Sequence, residues 1–334
     1  MNILVTGATG FIGSALVQRL VTENHNVICI IRKSSNVKYL KTLPVSLLEA
    51  DLTQKESLKI IPNNLDIVFH LAAHVDFSAV SQRAMNKMID TNVDATCNIY
   101  LAMKEKNPNL KKFIYFSSLA CMGFQREKTV TNYSPLNPDT LYGESKKQSE
   151  IKLNEISSNH NISVVILRPS LIYGIGDKRS DFLGSVRLIK KGLFPIFGNG
   201  NNIMSPLIYL DDLLMICLRF MGSKVNGTFI CTNNEKFTIN DFVKTISEIL
   251  GRKGGSLKIP VWFGQFLITP VEILCKIINK SPPLNRRRIK DLSIDRKFSN
   301  IHQDLDKAIG YHPETDLKQG ATKVIKWFRE NNLI

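Results

Sequence analysis

The 334-residue chain predicts a doubly wound parallel α/β sheet joined to a smaller, mixed α/β substrate-binding lobe. Three observations carry this. Short β-branched runs alternate with longer helical stretches through the first 170 residues. A glycine-rich turn joins the first run to the first helical stretch. After Arg168 and Pro169 the pattern loosens into Gly/Asn/Pro-rich turns. Strands are expected at Asn2–Thr6, Asn26–Ile31, 45–49, Ile67–His70, 112–117 and 163–168, because these runs are near-continuously apolar, as strands covered on both faces are. Phe11–Thr22, 79–106 and Leu141–Ser157 place apolar residues at helical spacing between them. Beyond residue 170, turns are expected at 174–176 and 192–202, helices near 211–221 and 239–250, and a strand at 228–231 that returns to the main sheet. The division is therefore 1–170 for the sheet domain and 171–334 for the lobe, with 206–231 rejoining the first. There is no internal repeat.

Composition bounds the function. A hydrophobic fraction of 43% and a charged fraction of 22% describe an ordinary globule. The net charge of +15 suits anionic small molecules, and residues from 251 onward hold 16 basic against 8 acidic side chains. No RNA-binding, zinc-finger or helix-turn-helix pattern accompanies it, so nucleic acid is not an expected partner. The six cysteines are scattered, with no CxxC pair and no histidine at ligand spacing, which fits a reducing cytoplasm and no metal. The chain starts on a strand rather than a secretory signal, and no apolar run reaches the roughly 18 residues of a membrane span. A cytoplasmic location is expected.

The turn reads Thr6-Gly7-Ala8-Thr9-Gly10-Phe11-Ile12-Gly13, after a strand and at the opening of a helix. Its first glycine turns the chain, its second lets backbone N–H groups approach a pyrophosphate, and its third lets helix pack on strand. Further along stand Asp51-Leu52, His70-Leu71-Ala72-Ala73, Asn92-Val93, Phe116-Ser117-Ser118, Tyr142-Gly143-Glu144-Ser145-Lys146 and Arg168-Pro169-Ser170-Leu171-Ile172-Tyr173-Gly174. In this order they resemble the extended short-chain dehydrogenases/reductases, the NAD-dependent epimerase/dehydratase family, over essentially the whole chain. Among its members they are nearest to dihydroflavonol reductases and 3β-hydroxysteroid dehydrogenases. The resemblance implies a Rossmann fold and a nicotinamide cofactor. It assigns Gly7, Thr9, Gly10, Phe11, Ile12, Gly13, Asp51, Leu52, Leu71, Ala72, Ala73, Asn92, Ser117, Tyr142, Lys146, Pro169, Ser170 and Leu171 to cofactor binding. By analogy with similar proteins it also implies a homodimer formed through 79–106 and Leu141–Ser157.

NAD-selective enzymes place an acid at the end of the second strand, where it accepts hydrogen bonds from the ribose. Here that stretch is Arg32-Lys33-Ser34. A guanidinium fork, an ammonium and a hydroxyl suit a 2′-phosphate, so NADP(H) is the favoured cofactor and NAD(H) the alternative.

Tyr142 and Lys146 stand at i and i+4 of a helix and face the same way. Phenolate at neutral pH costs about 4 kcal/mol. One cation at about 6 Å in an effective dielectric of about 20 returns only ~3 kcal/mol. Lys146 together with an oxidised nicotinamide can suffice. Counting back five residues from Gly123, as the family motif does, selects Ser118 as the hydroxyl on the reacting oxygen; counting from Phe116 leaves Ser117 as the alternative.

Three functions follow: a ketone/alcohol oxidoreductase, a nucleotide-sugar 4-epimerase or, less favoured, a dehydratase, and a noncatalytic NADP(H) sensor. Sugar epimerases usually carry an arginine on the diphosphate where this chain has Ser205, which favours the oxidoreductase. Arg286-Arg287-Arg288 lies near a second such arginine and keeps the sugar reading open. His74, Asp76, Tyr173 and Arg288 are the candidate substrate contacts. The apolar stretch 259–278 reads as a helix packed in the lobe's core. Its alternatives are a lid, or a membrane-surface contact running through 259–290.

Overall fold

The computed structural model describes the chain except residues 78, 80, 124–128, 179–180, 253–255, 278–284, 296 and 300, and the side chains of 276, 277, 287, 288, 291 and 302. Its elements run β1 (Asn2–Thr6), α1 (Phe11–Thr22), β2 (Asn26–Ile31), β3 (Ser46–Glu49), β4 (Ile67–His70), α2 (Gln82–Met88) and α3 (Ala95–Lys106). There follow β5 (Lys112–Phe116), α4 (Leu141–Ser157), β6 (Ser163–Pro169), β7 (Leu171–Tyr173), α5 (Asp181–Lys191), β8 (Phe194–Phe197), β9 (Leu207–Tyr209), α6 (Leu210–Gly222) and β10 (Gly227–Cys231). The chain ends with α7 (Ile239–Leu250), β11 (Ser256–Ile259), α8 (Val261–Ile277), α9 (Arg286–Leu292), α10 (Ile301–Ile309) and α11 (Leu317–Glu330).

Seven parallel strands form the central Rossmann sheet in the order β10-β6-β5-β4-β1-β2-β3. Each face of the sheet is sealed by helices. Leu16, Val17 and Leu20 of α1 pack with Leu213, Ile216 and Phe220 of α6 on one side. Ile99, Tyr100 and Met103 of α3 pack with Leu153 of α4 on the other. That double coverage is why β1, β4 and β5 are buried almost throughout. The strand order reverses between β1 and β4, opening a crevice at their C-terminal ends, where such folds bind ligands.

The lobe has its own core, in which Phe182 and Val186 of α5, Phe242 and Ile246 of α7 and Val324 and Phe328 of α11 pack together. Two short parallel pairs, β11 on β8 and β7 on β9, tie it to the chain leaving the main sheet. Short apolar runs with no clear period gave no sequence signal for these pairs.

Two elements differ from the sequence expectation. The helix expected over 79–106 starts at Gln82, capped by the Ser81 hydroxyl, and widens into a π-helical stretch at Ile89–Asp94 before α3. The turn expected over 192–202 contains the strand β8, paired in parallel with β11.

Candidate active site

A cleft of about 1280 Å³ follows the C-terminal ends of β1, β4, β5 and β6 and continues under the lobe. The turn after β1 shapes one end. Gly7 adopts φ +71°, and a Cβ there would stand 2.7 Å from the Ala72 nitrogen; one on Gly13 would stand 2.1 Å from the Gly7 carbonyl oxygen. A side chain at Gly7 would push the turn off the segment after β4, and one at Gly13 would push α1 off the turn. A Cβ on Gly10 would meet only the Gly7 oxygen, at 3.3 Å, and no other atom within contact range. Gly10 also caps α1 without a side-chain hydrogen bond, leaving first-turn N–H groups for an anion.

Behind the turn a chain of hydrogen bonds fixes one histidine tautomer. The Thr96 hydroxyl donates to the Asn92 carbonyl at 2.6 Å, so it accepts from His70 Nε2 at 2.9 Å. His70 Nδ1 then accepts from the Thr6 hydroxyl at 2.7 Å, which itself accepts the Ala72 N–H at 3.2 Å. β1, β4 and the segment after it are thereby held in register. Burial and the nearby Lys146 charge lower His70 from 6.5 to about 3, so it stays neutral. Unfolded histidine takes up a proton below about 6.5 while the folded one refuses it. Stability is therefore lost as pH falls from about 6.5 toward 3. Urea-unfolding midpoints across that window should decline less steeply in His70→Gln than in the wild type; equal slopes would refute the assignment.

Asn92 sits in the π-helical stretch, and the wider turn lets its amide work in two directions. It accepts the His74 N–H at 2.6 Å, donates to the His74 carbonyl at 3.0 Å, and donates to the Ser145 hydroxyl at 2.9 Å. Ser145 in turn donates to the Tyr142 carbonyl at 2.8 Å. Asn92 is buried and does not line the cleft; it clamps the loop after β4 to the helix that carries Tyr142.

Tyr142, Lys146 and Ser118 converge on the middle of the cleft. The Ser118 hydroxyl accepts the Ala120 N–H at 3.2 Å and hydrogen-bonds Tyr142. Burial raises the Tyr142 phenol to about 12, and the Ser118 contact offsets this only in part. Lys146 donates to the Phe116 carbonyl at 2.6 Å and to the Tyr115 hydroxyl at 3.2 Å. Burial lowers it to about 7, with Glu150 pulling the other way. Ser117 lines the cleft, but its hydroxyl is committed to Glu150, whereas Ser118 faces the phenol. Phe77 stacks edge-on against Tyr142 at 4.8 Å.

Most predicted residues meet here. Thr9, Phe11, Ile12, Asp51, Leu52, Leu71, Ala73, His74, Pro169, Ser170 and Leu171 all line the cleft. Others do not. Arg32 lines it, but Lys33 and Ser34 do not: the Ser35 N–H donates to the Arg32 carbonyl at 2.8 Å and the Arg32 N–H to the Ser35 hydroxyl at 3.0 Å, so 33 and 34 form an exposed tip and Ser35 turns inward. Val75 and Phe77 line the cleft, and Asp76 between them does not. Tyr173 lies in the lobe core, its ring 4.7 Å from Phe182 and its hydroxyl donating to the Asp316 carbonyl. The Arg288 side chain lies outside the described residues. Lys87 and Thr91, one turn apart before Asn92, line the cleft without any motif that could have marked them.

These residues fit a dinucleotide. Gly10 leaves a cradle that a Cβ would fill. The Ser170 hydroxyl is buried in the cleft wall without a hydrogen-bond partner among the described residues, as expected where a bound polar group completes it.

A family model described as the NAD dependent epimerase/dehydratase family matches residues 3–230. A putative UDP-glucose 4-epimerase of Methanocaldococcus jannaschii is 26% identical over 342 residues, covering 99% of each chain. Sterol demethylase protein B of Methylococcus capsulatus is 24% identical over 340 residues, covering all of both. The fold matches the crystal structure of a UDP-glucose 4-epimerase from Thermotoga maritima with a TM-score of 0.78 at 22% identity, over 99% of this chain and all of that one.

Proposed function

The chain belongs to the NAD-dependent epimerase/dehydratase family of extended short-chain dehydrogenases/reductases, and from that premise we propose that it interconverts a ketone and a secondary alcohol on a bulky apolar molecule, with NADP(H). The lining of the cleft under the lobe carries this reading. Beyond Tyr142 the apolar part of the wall is Val75, Phe77, Ile203, Met204, Leu207 and Ile239, beside Lys87, Asp177 and Asp181, and Ser205 stands where a sugar-diphosphate enzyme would be expected to hold a cation. A substrate that buries apolar surface there gains about 25 cal/mol per Å², whereas a diphosphate would meet Ser205 in place of that cation.

When bound, the nicotinamide supplies or accepts the hydride. Gly7, Gly10 and the start of α1 hold the pyrophosphate, and Asp51 with Leu52 flank the adenine end. Lys146 holds the ribose, its Nζ fixed by the Phe116 carbonyl and the Tyr115 hydroxyl. Tyr142 moves the proton. At about 12 it rests as a phenol, already in the form that donates to a ketone oxygen, and Ser118 supports that oxygen as charge develops. In the reverse direction Tyr142 must first lose its proton, so below the Lys146 titration near 7 alcohol oxidation should rise with pH while ketone reduction stays flat, and above it weakened cofactor binding should lower both.

Arg32 supports NADP(H): it reaches the cleft at the end of β2, with Ser35 inward beside it and no acid among 30–35. In Arg32→Asp the ratio of dissociation constants should move toward NAD(H) by about tenfold or more, since a charge-assisted pair is lost and a repulsion gained. An unchanged ratio would discard the preference.

The second reading, interconversion of nucleotide-sugar epimers, is favoured by relatives that carry the name UDP-glucose 4-epimerase. The two separate in one assay. NADPH oxidation by apolar ketones, absent with sugar nucleotides, supports the reduction; epimer exchange without net cofactor turnover replaces it. A homodimer through α3 and α4 would cover Leu101 and Ile151, both exposed on those helices.

A further inference from the structure

Helix α8 leaves a broad apolar face to water. Wound at 100° per residue, Trp262, Phe263, Phe266, Leu267, Ile273 and Leu274 share one face, and all are exposed, Trp262 and Phe266 at 70% and 68%. The opposite face, which meets the protein, carries Gly264, Gln265 and Glu272 together with Val261, Ile268 and Cys275. Gly264 lies so close to Phe197 of β8 that a Cβ would stand 2.6 Å from its ring, and the Gln265 amide and Glu272 carboxylate bond Arg286 of α9. The expectation of a core-packed helix is thus corrected. Gln265 and Glu272 face inward beside Val261 and Ile268, while the six large apolar side chains of the outer face stay 39–70% exposed.

Charge points to what covers them. Residues 257–292 hold seven Lys/Arg against two acids, and four of the seven fall on α9, which packs beside α8. An apolar face rich in Trp and Phe, on a helix packed beside one rich in Lys and Arg, is what an interfacial helix presents to a bilayer with anionic headgroups. Among the described residues no helix is long and apolar enough to cross a membrane, so the contact would be peripheral. The same region opens on the cleft: Asn285, Leu292 and Ile294 line its mouth.

We propose that the α8 face, with the basic α9 beside it, docks this protein on an anionic lipid surface, with the cleft mouth at the membrane boundary. The docking needs no particular substrate, so it stands or falls apart from the reading of the reaction.

Flotation of the full chain with phosphatidylcholine vesicles, with and without phosphatidylglycerol, tests it. Binding should be at least about tenfold tighter to the anionic vesicles and should weaken with salt. In a Trp327→Phe background, leaving Trp262 as the single reporter, emission should shift to the blue on binding. Trp262→Glu with Phe266→Glu should abolish flotation while cofactor binding is retained, since both side chains are already exposed. Equal binding of the double variant, or no preference for anionic vesicles, overturns the proposal. So does a lipid-free dimer that the double variant dissociates without any vesicle binding by the wild type, which would make this face a contact between copies of the chain.

Discussion

Tyr142→Phe should lower kcat for ketone reduction by roughly 10²- to 10⁴-fold, the span a positioned general acid contributes, and leave the dissociation constant of the dinucleotide within about twofold. The phenyl ring keeps its packing against Phe77 and its place on α4; only the hydroxyl shared with Ser118 is lost. The proton would then have to come from water in a cleft walled by apolar side chains. Steady-state rates with a tight-binding ketone, beside a fluorescence titration of the cofactor, check both halves. A variant retaining more than about a tenth of wild-type kcat would remove Tyr142 from the mechanism, because that loss is below what general acid catalysis supplies. Ser118→Ala should fall between the two: the phenol keeps its proton but loses the group that aims it.

The sheet was legible because its signals are local. Period, glycine spacing and the Tyr142/Lys146 pair are set within a few residues, and the six strands expected before residue 170 fold within a residue of those bounds. What escaped depends on long-range packing. Asn92 reads as a motif residue near the cofactor, yet its work is to hold the His74 backbone and Ser145, which only a π-helical turn allows and no periodicity announces. Tyr173 closes a motif beside the nicotinamide, but the strand that carries it delivers its ring to the lobe core. Lys33 and Ser34 have the right chemistry on the wrong side of a tight turn. For α8 the composition was visible and the sidedness was not: an apolar helix is read as buried by default, and only the placement of Gly264 on Phe197 shows which face was used.

Beneath the cleft lies a buried ion pair whose removal has the largest expected effect on stability. Arg168 of β6 meets Glu150 of α4 through Nη2 at 2.6 Å and Nε at 3.0 and 3.2 Å, with side chains 7% and 2% exposed. Ser117 donates to the same carboxylate, and Arg168 Nη1 donates to the Asn132 carbonyl at 3.2 Å. Arg168→Met strands the carboxylate and should cost about 3–5 kcal/mol, whereas replacing both partners by apolar residues of similar volume should cost much less. Urea unfolding of the two single variants and the double variant checks this; additive losses would show that the pair is not coupled. The pair also reaches the chemistry. Glu150 is the acid that holds the Lys146 proton against desolvation, one helical turn away. Glu150→Gln keeps the shape and several hydrogen bonds but removes that charge, so Lys146 should titrate below its value of about 7. The alkaline limb of cofactor binding should then move to lower pH, while Glu150→Asp, which keeps the carboxylate, should leave it in place. A downward shift in both would mean that packing rather than the Glu150 charge controls Lys146.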